Sequence, residues 1–219
     1  DKKKKMEVDL EEDKKEHRDQ CSICLEDLPK WRAEFIRMTC CGNCLHKHCN
    51  ADLMSTQIGR NCILCRAKVP TSEEEAVKYL RPWVKKKKAW AQHHMGQKYR
   101  DGTGVKQSYE MARRLFELAA QQGDAGSIYN LGQMYVKGQG VEQSYERAKE
   151  YYEQAAQLGC AHAQYNLGCL YTNGQGVEQD LIKARELTAK AAAQGHDGAT
   201  KDLQLLKKKK KKKNKKKKK

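Results

Sequence analysis

The chain has 219 residues, of which 38% are hydrophobic and only 7% aromatic, so its composition favours small domains over one thick core. Its formal net charge of +16 would suggest nucleic-acid binding, but the last thirteen residues alone carry 12 of the 44 basic side chains. Without that tail, 32 basic residues stand against 28 acidic ones, which removes most of the argument for a basic folded surface.

The first 20 residues are almost all charged and show no apolar periodicity, so we predict a charged, disordered leader. No segment resembles a secretory signal, and no apolar run approaches the roughly 20 residues that cross a bilayer. We therefore expect a cytoplasmic or nuclear protein without membrane contact.

Eight of the ten cysteines lie between positions 21 and 65, mixed with histidine. In a chain without an export signal this mixture favours zinc over disulfides, because zinc takes four tetrahedral ligands from thiolate sulfur and imidazole nitrogen. A module of about 45 residues has little core, so bound metal would supply much of its folding free energy. Two Cys-x2-Cys turns flank a central cluster, and together they offer enough ligands for two ions: Cys21, Cys24, Cys40, Cys41, Cys44, His46, His48, Cys49, Cys62 and Cys65.

Residues 21 to 66 resemble the RING finger family, whose members bind two structural zinc ions in a cross-brace. The resemblance implies a first site formed by Cys21, Cys24, His46 and Cys49. Cys62 and Cys65 would belong to the second site, and the pair that completes it is ambiguous. The commonest family pattern would use Cys41 and Asn43, but asparagine is a poor zinc ligand.

Our preferred second pair is Cys40 with Cys41, which looks like a family variant with a CCG run. Cys41 with Cys44 is the alternative, and it is the sterically easier turn. We interpret His48 as a surface residue, with a third metal held by Cys44 and His48 as another hypothesis. A purely structural zinc module and a PHD finger are further alternatives, although Arg60 lies where a PHD finger usually has an aromatic residue.

RING fingers dock a ubiquitin-conjugating enzyme and orient its ubiquitin thioester, so the zinc would be structural and no covalent nucleophile is implied. The resemblance implies a docking surface that contains Ile23, Ile63 and Arg66. The Arg66 guanidinium could hydrogen-bond to both partners at once. The family usually has proline at the position of Ile63 and an apolar residue, often tryptophan, near Leu53 or Met54. These departures would weaken or redirect the choice of conjugating enzyme.

Residues 71 to 88 are predicted to form a helical and basic linker. Ser72 followed by Glu75 is a helix-start signal, and Pro82 is expected to interrupt the helix. The lysines from 85 to 88 either serve nuclear import or form a solvated face.

From Ala89 the chain repeats without a gap at a period of 36 residues, in blocks 89–124, 125–160 and 161–196. In the middle block two apolar faces at helical spacing are separated by a glycine break at positions 138 to 140, so each block is predicted to be a helical hairpin. Gly132 and Ala148 would let the two helices approach closely.

The signatures LG-x2-Y, G-x-GV and AA-x2-G resemble the Sel-1-like repeat family, which is related to tetratricopeptide repeats. The resemblance implies a right-handed solenoid whose concave face binds a protein or peptide. We interpret Cys160 and Cys169 as ordinary solenoid residues.

Residues 197–206 continue the register of the repeat and stop where the polylysine tail begins at residue 207. One hypothesis is a terminal capping helix followed by a basic tail. The other is a truncated coding sequence whose tail is a translated adenine-rich tract.

The predicted fold is therefore a small, cross-braced, two-zinc RING finger followed by an all-α solenoid of helical hairpins, with disordered lysine-rich termini. The leading interpretation is a RING-type ubiquitin-protein ligase, in which the finger docks a conjugating enzyme with its ubiquitin and the solenoid binds a protein substrate or adaptor. The alternative is a non-catalytic zinc-binding scaffold. Specific nucleic-acid binding is disfavoured, because the basic charge is separable and no base-stacking aromatics accompany it.

Overall fold

The computed structural model describes residues 70–204 and the backbone of two short strands at residues 35–37 and 44–46. The charged leader, most of the cysteine-rich module and the polylysine tail lie outside the described residues. The chain divides into two compact units, Asp1–Lys85 and Lys86–Lys219, and each is described by itself.

In the first unit the structure describes one antiparallel hairpin of two strands. β1 (Phe35–Arg37) pairs with β2 (Cys44–His46), and the register places Phe35 opposite His46.

Helix α1 (Glu73–Lys85) begins as the helix-start signal predicts. The Ser72 hydroxyl accepts a hydrogen bond from the Glu75 backbone N–H at 3.3 Å, and the Glu75 carboxylate accepts two from Thr71 at 2.8 and 3.0 Å. The expected interruption at Pro82 was wrong, since three more helical residues follow it. Proline lacks an N–H and crowds the preceding turn, but it leaves the residues after it free to remain helical.

The second unit is a stack of three helical hairpins, which confirms the predicted all-α solenoid. The first helix of each hairpin is called its A helix, and the A helices are α2 (Ala89–Asp101), α4 (Ala125–Lys137) and α6 (Ala161–Asn173). The second is called its B helix, and the B helices are α3 (Tyr109–Ala120), α5 (Tyr145–Gln157) and α7 (Leu181–Ala193). Each B helix packs on its own A helix, and α3 and α5 also pack on the A helix that follows them. No helix among the described residues has the length and apolar character to cross a membrane.

Local capping groups set the ends of these helices. Each A helix ends at a glycine in the left-handed conformation, whose N–H bonds to the carbonyl four residues earlier. Each B helix begins at a polar cap whose side-chain oxygen accepts from a backbone N–H of the first turn. The glycines are Gly102, Gly138 and Gly174, and the caps are Ser108, Ser144 and Asp180.

The middle hairpin shows how the core is built. Ile128 and Leu131 of α4 and Tyr152 of α5 are at most 5% exposed. A Cβ at Gly132 would lie 2.6 Å from the Tyr152 ring and 3.3 Å from the carbonyl oxygen of Ala148. The close helix approach predicted from Gly132 and Ala148 is therefore confirmed, with the tyrosine ring filling the space beside the glycine.

The turn inside one hairpin lies against the start of the B helix in the preceding hairpin. A Cβ at Gly140 would lie 2.7 Å from the Cβ of Tyr109, and one at Gly176 would lie 2.6 Å from the backbone nitrogen of Glu146. Both glycines also have positive φ, at 68° and 65°. A side chain is excluded at these turns by backbone conformation and by the neighbouring main chain.

The start of the B helix is more exposed in the third hairpin than in the first two. Leu181 begins α7 and is 62% exposed, whereas the equivalent Tyr109 and Tyr145 of the earlier B helices are half-buried. The next residue of α7, Ile182, is 76% exposed. No further glycine turn follows within residues 70–204 to lie over α7.

Residues 197–204 are helical and continue the stack by part of one more A helix. Ala199 is fully buried. The Tyr165 hydroxyl of α6 donates a hydrogen bond to the Asp202 carboxylate at 3.0 Å. The segment is therefore joined to the third hairpin by both apolar and polar contacts.

Helix α1 has the register and the end geometry of a B helix. Its cap, Ser72, lies 36 residues before Ser108, and the Ala76 N–H donates to the Ser72 carbonyl as the Ala112 N–H donates to that of Ser108. Lys87 has a left-handed φ of 54°, which is uncommon for a residue other than glycine. At the equivalent positions of the hairpins the chain has glycine with φ of 78°, 80° and 81°: Gly123, Gly159 and Gly195.

We expect Gly140→Ala to destabilise the chain more than the matched variant Gly138→Ala. Both alanines would lose about 1 to 2 kcal/mol to left-handed backbone strain. At Gly138 the nearest atom is 3.5 Å from the new Cβ, whereas at Gly140 the Cβ meets Tyr109 at 2.7 Å. That overlap should cost about 1 to 3 kcal/mol more.

Urea unfolding followed by circular dichroism measures both losses. Equal losses in the two variants would show that the turn does not press on the preceding hairpin.

Candidate binding face of the A helices

Three positions in each A helix lie on the same side of the stack, here called the A-helix face, and two of its nine residues, His93 and Asn130, are only 6% and 4% exposed. In each helix they are spaced i, i+1 and i+4, so they project from one side. The opposite side of α4 carries the core residues Ile128, Leu131 and Tyr135. The three rows of the A-helix face are His93, Tyr129 and Tyr165; His94, Asn130 and Asn166; and Gln97, Gln133 and Cys169.

Hydrogen bonds between successive A helices tie these rows together. The Arg100 guanidinium donates to the Asn130 side-chain oxygen at 2.8 Å, and the Asn166 amide donates to the Tyr129 hydroxyl at 3.4 Å. Asp202, which accepts from Tyr165, lies 36 residues after Asn166 and continues that row. The side chains of the face are therefore held by their neighbours from one hairpin to the next.

His93 connects the first two hairpins through a buried polar cluster. Its Nδ1 lies 2.9 Å from the Ser127 hydroxyl and 3.0 Å from the Asp124 carboxylate, and that carboxylate also caps α4 by accepting from the Ser127 N–H at 2.7 Å. A hydrolytic Ser-His-Asp triad needs the serine and the aspartate on different ring nitrogens. Here both contact Nδ1, so we assign this cluster to structure and not to catalysis.

The two tyrosines of the face remain neutral hydrogen-bonding groups. Burial raises the pKa of Tyr129, and burial together with the neighbouring Asp202 raises the pKa of Tyr165 to about 12. The Tyr129 hydroxyl also accepts a hydrogen bond from the Gln133 amide. Both phenols are therefore protonated at neutral pH.

Charged groups near the face lie at the C-terminal ends of the A helices. Arg100 makes two hydrogen bonds to Asp101, at 2.7 and 2.9 Å, and this pairing lowers the pKa of Asp101. Lys137 ends α4 and is exposed. None of the nine residues of the face is Lys, Arg, Asp or Glu, so the surface is polar and aromatic without a fixed charge.

The two cysteines of the second unit are free thiols. Burial raises the pKa of both Cys160 and Cys169, so neither is activated as a nucleophile at neutral pH. This agrees with their interpretation as ordinary solenoid residues.

A cleft lies between α3 and the start of α5. It is a cleft of about 600 Å³ lined by Arg113, Arg147, Glu142, Glu146 and the turn that contains Gly140. The cleft has two arginines and two glutamates, so its net charge gives no preference for an anionic ligand. The A-helix face is therefore the stronger candidate.

The zinc and docking residues predicted for the RING finger lie outside the described residues, apart from His46. The structure describes His46, and the alternative ligand Cys44, only as backbone of β2. The other zinc ligands and the docking residues stay predictions: Cys21, Cys24, Cys40, Cys41, Cys49, Cys62 and Cys65, with Ile23, Ile63 and Arg66.

Sequence reasoning did not name the residues of the A-helix face. The usable signal was the recurrence of polar residues at a spacing of 36, such as Asn130 and Asn166. A search for apolar periodicity passes over these positions, because they lie outside the core.

Comparison with known proteins identifies the repeat. The Sel1 repeat model matches residues 91–124, 125–160 and 161–196. A search of the curated proteins finds no match.

Solved structures similar to this chain include two other Sel1-like repeat proteins. A Sel1 repeat protein from Oxalobacter formigenes is 29% identical with a TM-score of 0.57, and c5321, a protective antigen of uropathogenic Escherichia coli strains with an SLR fold, is 35% identical with a TM-score of 0.55. Each similarity covers 61% of this chain, but it spans only 54% of the first protein and 28% of the second. Residues 91–196 therefore match three consecutive copies of the Sel1 repeat.

Proposed function

We propose that this chain is a protein-binding scaffold and that the A-helix face contacts the bound polypeptide. The observation that carries the proposal is the alignment of uncharged polar and aromatic side chains in three rows across successive A helices. A polypeptide offers a donor and an acceptor at almost every residue, and such rows can match several of them. The tyrosines add rigid contact area at a low cost in conformational entropy.

Preorganisation of the face supports the same proposal. Arg100, Asn130, Tyr129 and Asn166 already hydrogen-bond across hairpins, so binding would restrict few additional rotamers. The absence of fixed charge within the nine residues of the face argues for hydrogen bonding and apolar contact over phosphate recognition. We therefore expect partner affinity to depend only weakly on salt.

Two lysines placed on the A-helix face should weaken partner binding. Gln97→Lys with Gln133→Lys would bring unpaired ammonium groups against the bound polypeptide, and we expect at least about tenfold lower affinity, or about 1.4 kcal/mol. The matched control introduces the same charge at two exposed glutamines next to or within B helices, Gln121→Lys with Gln154→Lys. Partners are identified by cross-linking mass spectrometry, and the affinity of a purified partner is then measured by biolayer interferometry.

Circular dichroism of both double variants checks that the helices are intact. Unchanged affinity in the A-helix variant would exclude this face. A loss confined to the control would place the partner on the B helices.

A second candidate function is a RING-type ubiquitin-protein ligase whose repeats bind a substrate or adaptor. The spacing of cysteine and histidine between residues 21 and 65 favours it. A conjugating enzyme would dock on Ile23, Ile63 and Arg66, and ubiquitin transfer would depend on orientation of the thioester. The family match covers only residues 91–196, so the scaffold remains the leading proposal.

The donor set of the N-terminal module suits two structural zinc ions. Thiolate and imidazole are the ligands that tetrahedral zinc prefers. Cysteines stay reduced and available to zinc in a reducing compartment, for which we propose the cytoplasm or the nucleus. His46 lies in β2, and the preferred pair Cys40 and Cys41 falls in the sequence between β1 and β2. The full proposed set is Cys21, Cys24, Cys40, Cys41, His46, Cys49, Cys62 and Cys65.

We expect two zinc ions per full-length chain, and we expect Cys44→Ser to retain both. The reason is that the preferred second pair, Cys40 and Cys41, leaves Cys44 unused. Inductively coupled plasma mass spectrometry measures the zinc content. Loss of one ion from Cys44→Ser would instead assign Cys44 to the second site.

Self-ubiquitination with a panel of conjugating enzymes separates the two candidate functions. A ligase should be active with at least one enzyme, and Ile23→Ala and Arg66→Ala should each reduce that activity, because they remove apolar and hydrogen-bonding contacts from the docking surface. Zinc content of both variants serves as the control for folding. If the wild-type chain and both variants are equally inactive while zinc is retained, the ligase proposal is wrong.

A further inference from the structure

The last described helical segment, residues 197–204, is attached to the third hairpin through two histidines. His196 Nε2 lies 2.9 Å from His162 Nδ1. The His196 ring also packs on Tyr165, with centroids 4.6 Å apart. His162 is exposed and His196 is partly exposed, so solvent protons can reach the pair.

The hydrogen bonds assign the protons on both rings. The Ala199 backbone N–H donates to His196 Nδ1 at 3.2 Å, so this nitrogen carries a lone pair. The proton of neutral His196 is therefore on Nε2, which donates to His162 Nδ1. Because the Nδ1 atom of each ring accepts a hydrogen bond, the arrangement requires both rings to be neutral.

We propose that His162 and His196 form an acid-sensitive latch, which holds residues 197–204 on the third hairpin while both rings are neutral and releases them when His196 is protonated. A proton on His196 Nδ1 would face the Ala199 N–H and remove the cap of the segment.

The groups that α4 and α6 direct toward the two rings do not supply a counter-charge. Tyr129 of α4 packs on His162 and Tyr165 of α6 packs on His196, both as neutral phenols. Cys160, which precedes α6, is a thiol whose pKa is raised by burial.

Two carboxylates lie on the segment that carries the latch. Asp202 accepts the hydrogen bond of Tyr165, and Asp197 favours protonation of His196. Burial and the neighbouring His162 outweigh Asp197 and lower the pKa of His196 below its ordinary 6.5.

The direction of this shift sets the pH range of the latch. A released His196 binds a proton more readily than a docked one, so docking is favoured most above about pH 6.5. The stabilisation decreases as the pH falls below this value, and it levels off below the lowered pKa of the docked ring.

Asp202 continues the A-helix face, because it lies 36 residues after Asn166. Release of residues 197–204 would shorten that face at acid pH, a consequence that rests on the proposed function. The latch itself does not rest on it, since the order of the segment is measured without any partner.

Amide hydrogen exchange of the full chain between about pH 8 and about pH 5, corrected for intrinsic rates, tests the latch. We expect the protection of residues 197–204 relative to α4 to fall by about tenfold for each unit by which docking lowers the pKa of His196. His196→Asn removes the titrating ring but keeps an N-cap acceptor, so protection should persist and lose its pH dependence. His94→Gln removes a histidine from the first hairpin and should behave as wild type.

An NMR titration of the histidine rings gives a second measurement, in which the His196 signal is identified by its absence from the His196→Asn spectrum. A His196 pKa at or above about 6.5 in the wild-type chain would overturn the latch. Equal pH dependence of exchange in wild type and His196→Asn would do the same. If His196→Asn fails to hold the segment at any pH, the wild-type titration alone decides.

Discussion

The contact between a glycine turn and the first residues of the preceding B helix is the constraint on which the stack depends. At Gly140 and Gly176 the turn meets main-chain atoms of the neighbouring hairpin, with no room for a Cβ. The separation of hairpins there is therefore set by backbone, which repeats identically, and not by side chains, which differ between repeats. Residues spaced by 36 in the sequence consequently occupy equivalent places in successive hairpins.

Because the hairpins repeat regularly, residues that are distant in sequence lie side by side on one surface. Arg100 reaches Asn130 and Asn166 reaches Tyr129, although these pairs are 30 and 37 residues apart. A single hydrogen bond of this kind contributes only about 1 kcal/mol to stability. Its larger effect is to restrict rotamers on the A-helix face, which would reduce the entropy lost on binding of the proposed partner. The same alignment brings His196 against His162, the contact on which the proposed acid-sensitive latch is built.

Local and periodic signals predicted much of the fold. The 36-residue period, the apolar spacing and the glycines predicted three hairpins, and Ser72 with Glu75 predicted the start of α1. We did not predict that α1 has the register of a B helix, because Lys87 occupies the position at which the later repeats have glycine. The interruption at Pro82 was wrongly expected, because proline restricts the turn before it and not the residues after it. The zinc module stays a prediction from ligand spacing.

By itself, the sequence determined that there are three hairpins, where their turns lie and which residues enter the core. These features depend on capping, backbone conformation and apolar spacing, which act within one or two helices. Only the tertiary structure decided which polar residues share a face and which histidines share a hydrogen bond. His162 and His196 are 34 residues apart and meet only after two elements have docked. The distance between the two rings depends on the orientations of several helices together, and no local sequence pattern specifies it.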